Sequence, residues 1–356
     1  MRIAVLHAYS AQNAGDGLLV EETLELLNEA LGGGHEFVLV ASYPHTFSHL
    51  GTIVHRSKPG VFGYSMHYLK FLRRINDFDV VVGVGGGYLR ASNMREFMKG
   101  LLVQGPQLYA AASAKHQSVY LPQSVGPFSS IGWALARNLL RKIDLLYVRD
   151  DRSLHEAHLD HIVRSPDLAV LAIRSTPYND DQPISATPVL SVREVRGSVP
   201  YRVRLIGERL RHFDGYVQSS VSGNDDRVAM ASMNPLEIIS RRDLLESPAL
   251  PRRIVIAMRL HAALMAVQAG HYVIHLAYER KGFGAFEDLG LSDYVMNSNN
   301  VDVDEVEMKV RSLLSSEGSR REYRNRLEQS LDRIAESRCA LVNDLRRQVS
   351  SAGVSI

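Results

Sequence analysis

The chain has 356 residues, 45% of them hydrophobic, 22% charged and 7% aromatic, which is too much for one ordinary core and comfortable for two domains. That profile, with a mean hydropathy of −0.11, excludes wholesale disorder, a collagen-like repeat and a membrane bundle. The 41 Lys and Arg against 39 Asp and Glu leave +2, so the large basic excess of a dedicated nucleic-acid binder is missing and no nucleic-acid partner is expected.

In chain order, residues 2–6 read as a buried strand and residues 16–31 as an amphipathic helix with Leu18, Leu19, Leu24, Leu27 and Leu31 on its apolar side. Residues 37–41 form a second strand. Residues 79–84 (DVVVGV) form a third, apolar after its first residue, as a parallel strand covered on both faces must be. Residues 118–122 and 145–148 complete an alternation of strands and helices that implies right-handed crossovers and a doubly wound sheet. Residues 174–188 (RSTPYNDDQPISATP) carry three prolines and no apolar period, and read as a linker. After it the alternation resumes: strands at 189–192, 215–219, 253–257 and 272–276, helices at 199–213 and 261–269, and a helical or mixed segment at 236–245. The fold class is therefore α/β, GT-B-like, with two Rossmann-like domains (residues 1–173 and 189–301) facing an interdomain cleft. In open α/β sheets ligands sit beyond the carboxyl ends of the strands.

From about residue 302 a helical segment runs to 356. Leu327, Leu331, Ile334, Leu341 and Leu345 share one side, and residues 308–347 carry ten Lys and Arg against six Asp and Glu, or +4. Packing of this helix on the domains is the first reading; a membrane-surface or partner-binding role is the second. Cys339, the single cysteine, forms no internal disulfide, the N-terminal apolar run is too short for a signal-peptide core, and no run approaches the roughly 18 apolar residues of a span, so a cytoplasmic protein is expected, with the inner membrane face as a secondary location.

Four strand-end loops carry residues that packing alone does not ask for. Asn13, Ala14, Gly15, Asp16 and Gly17 open the first helix, where Asn or Asp caps free N–H groups and glycine permits a tight turn; at a cleft Asp16 could accept a hydroxyl proton. Gly85, Gly86 and Gly87 follow the third strand. Tyr88 breaks the dinucleotide fingerprint there, yet successive glycines let a ligand approach the backbone. Gln123 and Ser124 offer neutral hydrogen bonds suited to sugar hydroxyls, and Arg149 brings a guanidinium to the same rim. In the second half Arg193 repeats that placement. The densest signal is Arg259, Leu260 and His261 at the mouth of an alanine-rich helix, whose N-terminus favours anions. Tyr278 and Lys281 follow the next strand. No metal site is expected: His155, His158 and His161 lack further ligands nearby, and Asp77 and Asp79 precede their strand rather than follow it.

Taken in order, N-x-G-D after the first strand, G-G-G after a central one, P-Q-S-x-G-P, R-D, R-L-H-A and Y-x-x-K resemble the polysaccharide pyruvyl transferase family over about residues 1–290. One departure is His271, where the family commonly has proline. The resemblance implies a GT-B-like fold and transfer of pyruvate from phosphoenolpyruvate to sugar hydroxyls, with no cofactor beyond that donor substrate. It also implies that Arg149 and His261 match phosphoenolpyruvate-contacting and catalytic positions, with Asp16 as their N-domain partner. The residues agree in kind. A donor with a carboxylate and a phosphate needs several cations, and Arg149, Arg193, Arg259 and Lys281 supply them; ketal formation needs an acid and a base, for which His261 and Asp16 stand, in either order. Asn13, Gly15, Gly85, Gly86, Gly87, Gln123, Ser124 and Tyr278 are left for the acceptor or for close backbone approach. The acceptor is a sugar, lipid-linked or free, and the oligomeric state is not legible. Two alternatives stay open: a nucleotide-sugar glycosyltransferase, which would want an acidic group for a ribose where Arg259 and His261 stand first and Glu279 later, and a sugar- or anion-binding protein without turnover.

Overall fold

A run of residues that are apolar on both faces makes a strand only if helices cover both sides of the sheet, and the central strands of this chain are built that way. The structure, a computed structural model, describes residues 1–351 except 92, 129, 158, 160, 176, 177, 179–181, 222, 223 and 247–250. The chain divides into two units: Met1–Ala11, Asp16–Leu168 and Glu336–Ile356 form the first, and Gln12–Gly15 with Ala169–Ala335 the second.

The first unit holds eight parallel strands: β1 (Arg2–Ala8), β2 (Glu36–Ala41), β3 (Ile53–Arg56), β4 (Val80–Gly83), β5 (Gly86–Ala91), β6 (Gln117–Phe128), β7 (Leu145–Val148) and β8 (Ile162–Arg164). Their order is β3-β2-β1-β4-β6-β7-β8, with β5 paired to the second half of the long β6. The helices are α1 (Ala14–Leu31), α2 (Met66–Arg73), α3 (Met94–Val103), α4 (Gly105–Ala112), α5 (Ser130–Leu140) and α6 (Asp151–Ala157); α7 (Leu168–Leu171) begins at the last residue of this unit and continues in the second. Alternate residues Ala4 and Leu6, Val38 and Val40, Val81, Tyr120, Leu146 and Val148 point into one core with Tyr68, Phe71 and Leu108. On α1, Leu18, Leu19, Leu26, Leu27 and Leu31 are buried; Leu24, expected inward, is only half-buried, and Leu26 takes its place.

The second unit holds a six-stranded parallel sheet with the order β13-β10-β9-β14-β15-β16. Its strands are β9 (Val189–Ser191), β10 (Asp214–Tyr216), β13 (Ile238–Ile239), β14 (Ile254–Ala257), β15 (Tyr272–Ala277) and β16 (Val295–Asn297); β11 (Ser220–Val221) and β12 (Asn224–Asp225) form a separate antiparallel pair. The helices are α8 (Tyr201–Leu210), α9 (Arg227–Ala231), α10 (Leu260–Gln268), α11 (Lys281–Asp288), α12 (Val303–Ser315) and α13 (Glu317–Ser351). Ala262, Ala263 and Ala266 are buried on α10, and their small side chains let that helix sit close to the sheet.

The unit boundary, Leu168/Ala169, falls before the proline-rich stretch at 174–188, part of which lies outside the described residues. The C-terminal segment is not a separate body. Tyr323 of α13 is buried among Tyr178, Tyr272 and Tyr294 in the second unit, and Ser330 Oγ donates to Leu289 O at 3.1 Å. From Glu336 onward the helix belongs to the first unit. There Arg338 binds Glu29 at 2.8 Å, Arg346 donates to the terminal carbonyls Glu29 O and Ala30 O of α1, and Tyr147 donates to Asp344 at 2.5 Å. Leu327, Ile334, Leu341 and Leu345 are buried and Leu331, expected on the same side, is half-buried, so most of the apolar stripe of α13 is spent on packing.

Candidate functional site

The residues singled out from sequence divide between the units. In the first, Arg149 follows β7 and is buried. Its Nε donates to Ser124 Oγ at 3.0 Å, and its guanidinium is ion-paired with the equally buried Asp167. Ser124 in turn donates to Asp150 at 2.7 Å. A carboxylate therefore already balances Arg149. The free edge of the guanidinium lies along Gly87, where a Cβ would stand 3.1 Å from Nη2. Gly87 is thus a place of close approach, but for Arg149 as much as for any ligand. The other two glycines correct the expectation of a ligand loop. Gly86 opens β5 and pairs with Gln123 of β6, and a Cβ on Gly85 would lie 2.7 Å from Pro122 O, so both serve strand packing. Gln123 is fully buried, yet neither of its amide atoms has a hydrogen-bond partner among the described residues. The strand expected to stop at 122 runs on to Phe128, so Gln123 and Ser124 lie within β6 rather than in a loop; buried amides are almost always satisfied, and Gln123 fits a polar ligand group there.

In the second unit, β14 ends at Ala257 and α10 begins at Leu260, with Arg259 as its N-cap residue and His261 in its first turn. Arg259 is buried and grips Asp226 with two bonds, Nε–Oδ2 at 2.5 Å and Nη2–Oδ1 at 2.6 Å, and also binds Asn224 Oδ1 at 3.0 Å. Burial pushes the Asp226 carboxyl above its ordinary value, against the pull of Arg259 and Arg193. Arg193 reaches the same Asn224 Oδ1 at 3.4 Å, donates to Tyr278 Oη at 2.8 Å and lies 4.9 Å over the Tyr278 ring. Among the described residues no carboxylate pairs with Arg193. Arg193 therefore stands close to Arg259 and Asn224 as a guanidinium with hydrogen bonds but no carboxylate partner, beside a helix N-terminus. Lys281 adds no net charge, because Glu279 sits 2.8 Å from its Nζ.

The segment Gln12–Gly15 docks in this unit: Ala14 N donates to Gln218 O, Ser220 N donates to Gln12 O, and the buried Asn13 bridges Ser219. It brings Gly15 against His261. A Cβ on Gly15 would fall 2.4 Å from His261 Cβ and 2.5 Å from Nδ1, so any side chain there must displace its surroundings. Asp16, half-buried in the first turn of α1, follows at once in the chain. Beneath lies His275, whose Nδ1–H donates to Ala257 O at 2.8 Å and whose ring stacks on Phe286. Burial lowers it to about 4, with the charges of Lys281 and His261 acting in the same direction, so it is neutral.

Sequence reasoning missed the carboxylates that hold the arginines, Asp167 and Asp226, together with Asn224 and His275. The signals were an aspartate just beyond the end of β8, the acidic pair after Asn224, and a histidine inside the otherwise apolar β15. His7, also missed, lies near the carboxyl end of β1 with φ of +72°; its ring nitrogens bond Gln104 and Tyr120, each at 2.7 Å. His271 is structural: its Nδ1 accepts from Arg253 N and its Nε2 donates to Leu244 O at 2.6 Å. His158 lies outside the described residues, and among those described no three His, Cys, Asp or Glu side chains gather where they could hold a metal ion.

The polysaccharide pyruvyl transferase family model matches residues 13–280, a span that includes nearly every residue of both clusters. The chain belongs to that family. No curated protein matches the sequence of this pyruvyl transferase family member significantly. Solved structures similar to it include an α-glucosyltransferase in complex with UDP and a 13-mer DNA (13% identity, 96% of this chain and 99% of the other, TM-score 0.56). Others are a glycosyltransferase from Rickettsia africae ESF-5 (12%, 97% and 98%, 0.57) and the spinosyn forosaminyltransferase SpnP (13%, 98% and 99%, 0.57). At such identities the likeness is one of fold: two Rossmann-like units with parallel sheets, as in GT-B glycosyltransferases.

Proposed function

We propose that this chain transfers pyruvate from phosphoenolpyruvate to two hydroxyls of one sugar residue in a polysaccharide or its precursor, giving a cyclic ketal and releasing phosphate. The observation that carries the reading is His261 in the first turn of α10, held against Gly15 beside the Arg193–Arg259–Asp226 cluster. Phosphoenolpyruvate is a small, densely charged anion. Within the second unit, the Arg193 guanidinium and the N-terminus of α10 suit it, with Arg259 and Lys281 as the further cations.

The bonds balance without a redox partner. One sugar hydroxyl oxygen bonds to C2 of the donor as its C3 methylene takes a proton and becomes the methyl. The C2–O bond to phosphate then breaks, and the second hydroxyl oxygen bonds to C2. Two hydroxyl protons are lost, one is gained by C3, and one leaves with phosphate. His261 and Asp16 are the acid–base pair, one delivering the proton to C3 and the other taking a hydroxyl proton. Gln123, buried with an unsatisfied amide, and Ser124 serve the acceptor hydroxyls.

The test is a panel of sugar acceptors incubated with phosphoenolpyruvate in heavy water and analysed by mass spectrometry. A ketal whose methyl carries one deuterium is expected. A panel with no ketal, and stabilisation of the protein by UDP but not by phosphoenolpyruvate, would instead favour a nucleotide-sugar glycosyltransferase.

A further inference from the structure

The first unit exposes an apolar surface that its own fold does not use. Gly60 and Gly63 close a tight turn through Gly60 N–Gly63 O at 2.8 Å and Gly63 N–Gly60 O at 3.2 Å, and the two residues at its tip are Val61, 96% exposed, and Phe62, fully exposed. Surface loops are normally polar at their tips, and an apolar pair held out between glycines is the opposite. Tyr64 Oη donates to Leu102 O at 2.6 Å and so fixes this turn beside the end of α3. On α3 itself Met94, Met98, Leu101 and Leu102, at i, i+4, i+7 and i+8, form a stripe that is exposed rather than turned to the core. Met66, at the start of α2, is exposed next to the turn in sequence.

The charge of this region is as one-sided as its apolar tip. From residue 37 to residue 76 there is no Asp or Glu, while Arg56, Lys58, Lys70, Arg73 and Arg74 are all present and exposed, in a chain whose total is only +2. Arg74 pairs with Asp77 just beyond this stretch, and Lys58 leans over the Tyr43 ring. Lys99, also exposed, adds a cation to α3. An apolar projection set among cations fits a bilayer with anionic headgroups: the aromatic tip enters the acyl boundary while the cations meet phosphate. A second copy of this chain fits poorly, because a twofold interface sets the same basic surface against itself. A peptide partner would want a groove, and this surface projects.

We propose that the Val61–Phe62 turn and the outer face of α3 dock the protein on an anionic membrane surface. The docking stands on its own. Together with the pyruvyl transfer proposed above, it makes the acceptor sugar one carried on a lipid, since α3 follows directly on β5, whose Gly87 lies against Arg149.

The experiment is co-sedimentation of the full chain with phosphatidylcholine vesicles containing or lacking phosphatidylglycerol, at low and high salt. Binding to the anionic vesicles only, weakened by salt, is expected. The variant Val61→Ser/Phe62→Ser should bind about tenfold or more weakly, and Lys70→Ala/Arg73→Ala should lose about fivefold per cation, both with the thermal midpoint of the wild type. Val228→Ser/Leu236→Ser, on exposed apolar residues of the second unit, should bind as wild type. In a separate arm Phe62→Trp should be quenched by brominated lipid in anionic vesicles, a readout that general adhesion would not give. Failure to bind anionic vesicles, binding unchanged by the turn variant, or a dimer in solution that the turn variant abolishes would each overturn the proposal. Pyruvyl transfer to a water-soluble acceptor should be unchanged in Val61→Ser/Phe62→Ser, so failure of docking and failure of the assigned chemistry read out separately.

Discussion

Replacing Gly15 by alanine sets two effects of known sign against each other. Gly15 lies in α1, where alanine is favoured over glycine by about 0.5–1 kcal/mol. The new Cβ would stand 2.4 Å from His261 Cβ, 2.5 Å from Nδ1 and 2.7 Å from Cγ. Carbon atoms in contact sit about 3.5–4 Å apart, so the two groups must separate by roughly 1 Å. Rotating the imidazole does not relieve a clash with its own Cβ, so either the start of α10 or the segment Gln12–Gly15 has to shift. Overpacking of this kind costs about 1–3 kcal/mol, which leaves a net stability loss of about 0–2.5 kcal/mol, small enough for a folded protein. The rate should suffer far more, since moving a reacting group by about 1 Å can cost on the order of 100-fold. Gly17→Ala is the control: it brings the same helix preference, and its Cβ meets Ala11 rather than His261, at 3.3–3.4 Å, so a few tenths of an ångström must be relieved instead of about 1 Å. Phosphate release from phosphoenolpyruvate with an acceptor, alongside urea denaturation, reads both quantities. A folded Gly15→Ala protein with the kcat/KM of the wild type would refute the placement of His261 at the reacting centre.

Asp226→Ala strips the buried Arg259 of its two-bonded carboxylate, and urea denaturation should show a loss of about 3–5 kcal/mol. The pair Arg259→Met/Asp226→Leu should recover most of that stability and none of the phosphoenolpyruvate binding; recovery of binding as well would show that the arginine is purely structural. Gln123→Leu removes an amide that has no partner within the described protein, so stability should hold or rise by about 1 kcal/mol, while acceptor KM or kcat worsens about tenfold; a destabilised but fully active protein would contradict this. Burial lowers His7, His271 and His275 from 6.5 to about 4 each. The unfolded chain therefore binds their protons first as pH falls, and the stability present above pH 6.5 is lost toward pH 4. Each histidine contributes a slope of about 1.4 kcal/mol per pH unit within that window. His271→Gln should make the slope shallower by one proton, and an unaltered slope would show that the histidine is not held neutral.

How far the sequence carries the fold is clearest at the strands. β4 and β7 are uninterrupted apolar runs, and such runs can only be covered parallel strands, so both were legible. β3 was not: its first residue, Ile53, is exposed at the sheet edge, and four residues with weak alternation look like a loop. β5 was hidden by its own glycines, because a glycine run reads as a turn unless one knows that Pro122 O and Arg149 crowd the backbone there. Periodicity found the stripe of α13, but not that Tyr323 serves one unit and Arg338 the other. At the site, strand-end logic located Arg149, Arg259 and His261. It missed what neutralises the arginines, since Asp167 and Asp226 lie 18 and 33 residues away from them in sequence, and no local pattern links such pairs. Of the four cations expected from sequence, Arg149, Arg259 and Lys281 each carry a carboxylate partner, and Arg193 is held by Tyr278 and Asn224 instead.

The central claim is that His261 takes part in moving pyruvate from phosphoenolpyruvate to a sugar. The most direct measurement is phosphate release coupled to ketal formation, with an acceptor that the wild type accepts, in the wild type and in His261→Ala. One phosphate per ketal is expected from the wild type. The variant should be folded, still be stabilised by phosphoenolpyruvate, and release no phosphate above background. Phosphate release near the wild-type rate from folded His261→Ala would contradict the account.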